Sequence, residues 1–459
     1  MTGPVPTAAA LLLALAALLA PAGASAQDAQ ALRADLAQFR RDFFALDRAY
    51  PAEARRVAQR RLDALQARLD GLDATAFGLE LAAIAALADN GHTLSFPIPR
   101  SARANRVEIR LAPFGTDFHV LRARTADADL LGARLLAIDG VPLDRLRAAA
   151  RRLAGGPAAW RDRQAPFLFE SPEQLHALGL ARHLERARYR FALPDGRRVE
   201  RELAATPPGP QRVQTETAEL LLPGKLPERA PDGSDSGWRG LLPAERAPWS
   251  LQEPERPLRW RVLPELAALQ IEMRRTFDTP EARLPDFFDA VRAAIREHRP
   301  EHLVLDLRLN GGGDLTQARD FAESLPDLVP GRVFVLTSPW TFSAAISLTG
   351  YLKQAAPARV LIVGEPVGDR LEFFAEGRLI TLTHSGAVLL YATERHDYRH
   401  GCRASTDCHA PVVARPIALP SLAPDLPAPW TLQAYARGED PALAAVAAAL
   451  RPSKAGARP

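Results

Sequence analysis

The sequence predicts an α+β protein built from several domains. Its 459 residues exceed one ordinary hydrophobic core, since domains average roughly 150 residues. Apolar residues recur at helical spacing near the N-terminus, whereas strand and helix patterns alternate in the second half. These observations predict a helical N-terminal region, a small α+β module and a larger domain with a mostly parallel sheet.

The composition is that of a globular protein, with 47% hydrophobic and 24% charged residues. The formal charge of +4 comes from scattered arginines, without a dense basic block of the kind that binds nucleic acid. We therefore expect no nucleic-acid partner.

The N-terminus has the pattern of an export signal. Residues 8–20 form an unbroken apolar run, and residues 24–26 read Ala-Ser-Ala, the pattern of a signal-peptidase site. We expect a signal peptide over residues 1–26, a mature start near Gln27 and a periplasmic or secreted protein. A bilayer span needs ~20 apolar residues and no later segment has them, so we expect no integral membrane segment after signal removal. An uncleaved anchor is the alternative.

Residues 27–93 form the predicted helical region, in which apolar side chains such as Leu62 and Leu65 lie at helical spacing. The region ends at an Asp-Asn-Gly turn signal. Residues 94–205 contain short strand patterns and a helix pattern over 143–153. They predict a small α+β module.

The second half of the chain begins after a break in periodicity. Residues 206–257 are dominated by proline, glycine and charge, so we expect a linker or a surface insertion. From 258 to 450 strands and helices alternate, which implies β-α-β crossovers and a largely parallel sheet. Residues 451–459 form a tail. The expected strands are 266–271, 303–307, 333–337, 360–363, 379–383 and 388–392, and the expected helices are 285–298, 315–325 and 343–354.

A glycine-rich turn follows the apolar strand at 303–307. Asn310, Gly311, Gly312 and Gly313 precede a helix, and consecutive glycines let backbone N–H groups face outward and hold an anion. A plain strand-to-helix turn and a phosphate loop are alternatives, although neither G-x-G-x-x-G nor G-K-[ST] is present.

Ser343 lies at the start of the next predicted helix, after another apolar strand. At a helix N-terminus the dipole and free N–H groups favour negative charge on a hydroxyl that loses its proton and on a developing oxyanion. Ser343 is then a candidate nucleophile, with the Ala344 N–H as one oxyanion donor. The alternative is that Ser343 only caps the helix.

A serine nucleophile needs a general base, and the lysines of the chain are Lys225, Lys353 and Lys454. Lys353 lies about 15 Å along the same predicted helix, by the rise of 1.5 Å per residue. The other two lie in the proline-rich segment and in the tail, so we do not expect a Ser–Lys pair. His92, in the turn before the first strands, becomes the candidate base, although a lone histidine is often a surface or capping residue. The positions of His176, His183, His298 and His302 are typical of surface or structural residues.

Several motifs, taken in order, resemble those of the S41 peptidases, in particular the tail-specific, tricorn-like and retinoid-binding-protein-like branch. Asn90-Gly91-His92-Thr93 resembles the D-x-H-T motif that carries the family's catalytic histidine, with Asn90 in place of the acid. The other matching segments are residues 131–140 (similar to the PDZ-like segment), 306–313 (D-L-R-x-N-G-G-G), 341–345 (T-x-S-A-A) and 363–365 (V-G-E).

The resemblance implies a PDZ-like module over residues 94–205 and a C-terminal crotonase-like ββα-spiral domain over 258–450. It implies no cofactor and no catalytic metal. It also implies a Ser–His mechanism in which His92 takes the proton of Ser343 as the hydroxyl attacks a peptide carbonyl. In that mechanism the N–H groups of Gly311 or Gly312, together with that of Ala344, hold the oxyanion.

The sequence departs from the family pattern around the third catalytic group. Ile346 stands where the family motif continues with an acid, and residues 367–370 read Val-Gly-Asp-Arg where relatives have a small residue and two glycines. Relatives also carry an acid shortly before a late Pro-Asp, and none precedes residues 424–425. Glu394 is the nearest substitute. Without an orienting acid the tautomer of His92 is less well fixed.

Cys402 and Cys408 flank a short polar segment, and in an exported protein they are expected to form one disulfide. A zinc site made by these two cysteines with His400 and His409 is the alternative, although the close spacing strains four-ligand geometry. We expect no other metal site.

The expected function is that of an exported serine endopeptidase whose partner is a polypeptide substrate. The PDZ-like module would recognise an unstructured segment or a C-terminus by strand addition. The alternative is a non-catalytic ligand- or peptide-binding protein on the same scaffold. The sequence predicts neither the substrate nor the oligomeric state.

Overall fold

The computed structural model of this chain describes residues 22–209, 217–223, 237–402 and 407–451. The first 21 residues of the predicted signal peptide, Lys225, and the predicted tail apart from Arg451 lie outside these ranges. Within them the chain is an α+β protein with sheets of three, six, two and eight strands.

Helices form the first part of the chain. They are α1 (Ala22–Gln38), α2 (Ala52–Ala67), α3 (Ala74–Ala85) and, after the short strand β1 (Leu94–Ser95), α4 (Pro97–Arg103). Leu62 and Leu65 of α2 are fully buried, as their helical spacing predicts. β1 pairs antiparallel with a strand near the C-terminus, at Leu94 with Leu390, so the N-terminal region is tied to the last part of the chain.

The middle of the chain forms one antiparallel sheet with helices on it. Its strands are β2 (Arg106–Val107), β3 (Ile109–Phe114), β4 (Asp117–Arg124), β5 (Arg134–Ile138), β6 (Val141–Pro142), β7 (Arg186–Ala192) and β8 (Arg198–Thr206), and its helices are α5 (Leu143–Ala150), α6 (Ala158–Gln164), α7 (Pro166–Phe169) and α8 (Pro172–Ala177). The strand order is β2-β8-β7-β5-β4-β3, with β6 paired to β5. Val120, Leu135 and Phe191 lie in its core.

Part of the segment expected to be a linker or insertion is built into this sheet. It contains α9 (Thr217–Leu220) and β9 (Trp238–Gly240), and β9 pairs antiparallel with β4. Trp238 is buried beneath the guanidinium groups of Arg110 and Arg124. A three-residue strand anchored by one tryptophan gives no periodic signal, which explains why the sequence pattern missed it.

The C-terminal half contains the alternating strands and helices that the sequence predicts. The strands are β10 (Leu258–Leu263), β11 (Ala268–Met273), β12 (His302–Asp306), β13 (Val333–Thr337), β14 (Val360–Gly364), β15 (Glu372–Ala375), β16 (Leu379–Thr381), β17 (Val388–Leu390), β18 (Glu394–Asp397) and β19 (Leu426–Pro427), and the helices are α10 (Leu284–His298), α11 (Leu315–Ser324), α12 (Ala344–Ala355), α13 (Ala410–Ala414), α14 (Leu432–Arg437) and α15 (Pro441–Leu450).

The main sheet of this half has the order β10-β11-β12-β13-β14-β19. All neighbours are parallel except β10, which is antiparallel to β11. Because β12 and β13 are parallel neighbours, with Asp306 opposite Leu336, the loops after both strands emerge at the same edge of the sheet. This edge brings the glycine turn and Ser343 together.

Candidate active site

Ser343 occupies a strained turn between β13 and α12. Its φ of 54° and ψ of −126° lie outside the regions that L-residues ordinarily adopt, and such a conformation costs roughly 1–3 kcal/mol. Although Ser343 is at the N-cap position, its side chain makes no capping hydrogen bond. The capping alternative is therefore not supported by the geometry. This strand–turn–helix arrangement is the one in which hydrolases expose a nucleophilic serine.

The glycine turn lies directly against this serine. A Cβ placed on Gly312 would stand 2.5 Å from the Cβ of Ser343 and 2.9 Å from the carbonyl oxygen of Phe342, so only glycine permits the approach. The N–H of Phe342 donates to the carbonyl oxygen of Asn310 at 3.0 Å. The two loops therefore form one unit.

The three predicted oxyanion donors differ in how they are used. The N–H of Gly312 donates to Oδ1 of Asn310 at 2.9 Å, whereas those of Gly311 and Ala344 donate to no other described residue. The Asn310 amide is itself held by the carbonyl oxygen of Met273 at 2.9 Å. The geometry thus leaves Gly311 and Ala344 as the groups able to receive an anion.

His92 lies beside the residue that precedes Ser343. Its ring stacks on Phe342 with ring centroids 4.4 Å apart and on Phe373 at 5.3 Å. Trp160, from the middle module, stacks on Phe342 at 3.7 Å. Neither ring nitrogen of His92 has a hydrogen-bond partner among the described residues. The structure therefore brings the His92 ring against the residue that precedes Ser343, with no hydrogen bond between His92 and Ser343.

Asp369 is the carboxylate next to His92. Its Oδ2 lies 3.9 Å from Nδ1 of His92, while Oδ1 accepts the N–H of Arg370 at 2.9 Å. Burial raises the pKa of Asp369 to about 7. Burial, aided by the charge of nearby His396, lowers the pKa of His92 to about 3. At neutral pH the imidazole is therefore neutral, and one of its ring nitrogens carries no proton.

Sequence reasoning did not identify Asp369, because it follows V-G-E where relatives have small residues. The available signal was an acid four residues after Glu365, beside a glycine that permits close packing. A Cβ on Gly368 would stand 2.5 Å from the carbonyl oxygen of Pro339, so this glycine lets the segment pack on residues 338–343, called the nucleophile loop after the candidate nucleophile Ser343. Glu394, the substitute considered from the sequence, lies instead 2.6 Å from Nδ1 of His409.

Asn90, which stands in the place of the family's acid, has a structural role. Its Nδ2 donates to the carbonyl oxygen of Phe374 at 3.0 Å, and its Oδ1 accepts the N–H of the same residue at 3.0 Å. Nδ2 also donates to Oγ1 of Thr93 at 3.1 Å. Only an amide can both donate and accept in this way, so Asn90 anchors the histidine turn to β15.

The remaining sequence candidates have other partners. Lys353 donates to the carbonyl oxygen of Val360 at 2.8 Å and pairs with Asp425 at 3.0 Å, away from Ser343; Lys454, like Lys225, is outside the described residues. Cys402 and Cys408 are joined in a disulfide.

The turn at Ser343 thus lies with the glycine turn at one edge of a mostly parallel sheet. No family model and no curated protein matches the sequence. Among solved structures, mature CPAF complexed with lactacystin is similar, with a TM-score of 0.53 and 14% identity over 91% of this chain and 96% of that chain.

Two further solved structures are also similar to this chain, with lower TM-scores. The photosystem II D1 C-terminal processing protease has a TM-score of 0.36 and 13% identity, covering 90% of this chain and 98% of that one. A protein described as an S41 protease from Bacteroides fragilis has a TM-score of 0.30 and 11% identity, covering 74% and 82%. The prediction of an S41-like chain is confirmed at the level of the fold, which is an α+β multidomain fold similar to that of mature CPAF.

No helix among the described residues has the length and apolar character needed to cross a membrane.

Proposed function

We propose that this chain is an exported serine-type endopeptidase of the S41 kind, which hydrolyses peptide bonds through Ser343 and His92. The observation that carries the proposal is the strained turn that presents an uncapped serine hydroxyl beside unused N–H groups and next to a buried, neutral histidine. A backbone strain of this kind is retained where it has a use.

In the proposed reaction, His92 accepts the proton of Ser343 as the hydroxyl oxygen attacks the peptide carbonyl carbon. The N–H groups of Gly311 and Ala344 hold the oxyanion of the tetrahedral intermediate, and loss of one such donor costs about 3 kcal/mol of barrier. His92 then gives the proton to the leaving amine, and water hydrolyses the acyl-enzyme by the same route.

Asp369 orients the histidine in this reaction. A separation of 3.9 Å between its Oδ2 and Nδ1 of His92 is longer than a hydrogen bond, but catalytic hydrogen bonds are often long in ligand-free enzymes and tighten when substrate binds. When His92 becomes an imidazolium, the positive charge favours the ionised form of Asp369, and the two groups attract each other.

A cleft beside the nucleophile loop is the proposed entry for the polypeptide. It lies between the β3–β4 turn of the middle module and the loop after β13, and Phe114, Pro339, Trp340 and Trp430 contribute to its lining. Rigid aromatic and proline surfaces of this kind suit an extended peptide. If the module is PDZ-like, strand addition beside β4 must compete with β9, which already pairs there.

The export part of the proposal rests on the apolar run at residues 8–20 and the Ala-Ser-Ala site after it. Periplasmic or secreted location is tested by cell fractionation and by N-terminal sequencing of the mature chain, which is expected to begin near Gln27. A mature chain that retains Met1 would contradict it.

The catalytic proposal is tested with a fluorophosphonate probe on the purified mature protein. We expect stoichiometric labelling at Ser343, none in Ser343→Ala, and cleavage of an unfolded protein by the parent alone. Lactacystin, the compound bound to mature CPAF, is expected to compete with the probe. Absence of labelling in the folded parent would contradict the catalytic proposal and support the alternative of a non-catalytic binding protein.

A further inference from the structure

A cluster of two histidines and one glutamate lies on the far side of Phe373 from His92. It comprises Glu376, His396 and His409, whose ligand atoms all lie within 4.8 Å of one another. None of the three takes part in the proposed hydrolysis. We propose that these residues bind one Zn²⁺ ion, with a water molecule as fourth ligand.

Two of the three distances between ligand atoms are close to those around a tetrahedral ion, and the third lies within 4.8 Å. Nε2 of His396 lies 3.2 Å, and Nε2 of His409 3.8 Å, from Oε1 of Glu376. Ligands at bond lengths of ~2.0–2.1 Å in a tetrahedron are about 3.4 Å apart. The two imidazole rings have centroids 5.1 Å apart, and two histidines that share such an ion have centroids separated by about 5 Å. An ion therefore requires only small side-chain movements.

Groups outside the cluster hold both histidines in the orientation that an ion needs. Nδ1 of His409 lies 2.6 Å from Oε2 of Glu394, so its N–H donates to a carboxylate. Nδ1 of His396 lies 2.9 Å from the hydroxyl of Tyr398, which in turn lies 2.6 Å from Oγ of Ser347. Each ring thus uses Nδ1 in a hydrogen bond and points Nε2 to the cluster, which is the arrangement of zinc-bound histidines.

The backbone also places the three ligands without help from an ion. His396 belongs to β18, which pairs antiparallel with β15. Glu376 directly follows β15 and has a positive φ of 58°. The N–H of His409 donates to the carbonyl oxygen of Arg395 at 3.0 Å. His409 directly follows Cys408, which is joined to Cys402 in the disulfide. Such a preformed site loses little entropy on binding.

The ligand type and number indicate zinc. Two imidazoles and one carboxylate suit Zn²⁺ better than Mg²⁺, which prefers oxygen ligands. Three protein ligands leave one position open, and Glu376 is partly exposed, so water can reach it. Bound zinc would fasten β15, β18 and the disulfide loop together, and this strand pair carries Phe373, the ring on which His92 stacks.

The test is zinc binding by the metal-stripped mature protein, measured by competition with a chromogenic chelator. We expect one Zn²⁺ per chain, no binding of Mg²⁺ at equal concentration, and a higher thermal midpoint with zinc. Glu376→Gln and His409→Gln are each expected to lose the site. Glu394→Gln, which removes only the partner of His409, is expected to weaken binding by roughly 10–100-fold.

His400→Ala is the matched control. His400 is an exposed histidine on the neighbouring loop, 3.1 Å from Asp397, and belongs to the alternative cysteine–histidine site. Its replacement is expected to leave zinc binding unchanged. Absence of zinc binding in the folded parent, equal binding by Glu376→Gln and the parent, or loss of binding in His400→Ala would each overturn the proposal. Circular dichroism of each variant verifies that the fold is intact.

Discussion

Replacement of Asp369 by asparagine tests how the catalytic histidine is oriented. In the transition state His92 carries a positive charge, and its Nδ1 lies 3.9 Å from the carboxylate of Asp369. With an effective dielectric constant of 20, two unit charges at that distance attract by about 4 kcal/mol. Since each 1.36 kcal/mol is a factor of ten, Asp369→Asn is expected to lower kcat roughly 10³-fold.

The pH profile supplies the second readout. Burial raises the pKa of Asp369 to about 7, so the attraction is present above that pH and is lost as pH falls through it. The parent is therefore expected to gain kcat/KM between pH 6 and 8, roughly one unit on each side of that value. Asp369→Asn has no group to ionise, so its profile is expected to stay flat and low over this range.

The assay is steady-state cleavage of an unfolded protein or fluorogenic peptide, with fluorophosphonate labelling as a count of intact sites. Asp320→Asn is the matched control, since that aspartate is 74% exposed on α11. If Asp369→Asn retains a third of parental kcat, or keeps the same rise with pH, the role of Asp369 is refuted. Equal KM in both proteins would show that substrate binding is intact.

Three further predictions concern the same site. Ser343→Gly is expected to abolish hydrolysis because it removes the hydroxyl. It is also expected to raise the free energy of unfolding by roughly 1 kcal/mol, because glycine tolerates the φ of 54°. An equal gain in stability in Ser343→Ala, which keeps Cβ, would contradict this. Gly91→Ser places Cβ 2.6 Å from Oδ2 of Asp369 and should cost ~1–3 kcal/mol of stability, whereas Gly71→Ser, with open space at Cβ, should not. The pKa of His92 is lowered from 6.5 to about 3, so its contribution to stability is present above pH 6.5 and is lost as pH falls. Asp369, whose pKa is raised to about 7, contributes with the opposite sign in the parent and in His92→Asn alike. Urea unfolding from pH 7.5 to 4.5 should therefore show that the parent loses about 3 kcal/mol relative to His92→Asn.

The parallel sheet could be predicted from the sequence because its strands are short apolar runs separated by amphipathic helices. Val333–Thr337 was expected with the bounds it has, and α10 and α12 begin within one residue of the expected position. The edge strands were harder, since β9 is too short and β10 too polar to give a clear pattern.

The parts of the candidate site that lie in recognisable motifs could be predicted from the sequence, whereas the position of Asp369 could not. The glycine turn and Ser343 each follow an apolar strand, so their position at one sheet edge follows from topology. Asp369 lies next to His92 because Gly91 and Gly368 have no side chains that would keep their loops apart. These loops are far apart in the sequence. The zinc cluster depends likewise on a hairpin and a disulfide loop folding together, and spacing along the chain does not reveal that.

The stacked rings around His92 come from four separate stretches of the chain: Trp160 from the middle module, Phe342 from the nucleophile loop, His92 from the N-terminal turn and Phe373 from β15. In a chain that is still being synthesised or translocated, Phe342 and Phe373 are not yet in place. The buried surroundings of His92, the proposed base, have therefore not formed. Under the proposed function, a half-synthesised polypeptide cannot attack its neighbours, and hydrolysis begins only once the whole molecule has folded.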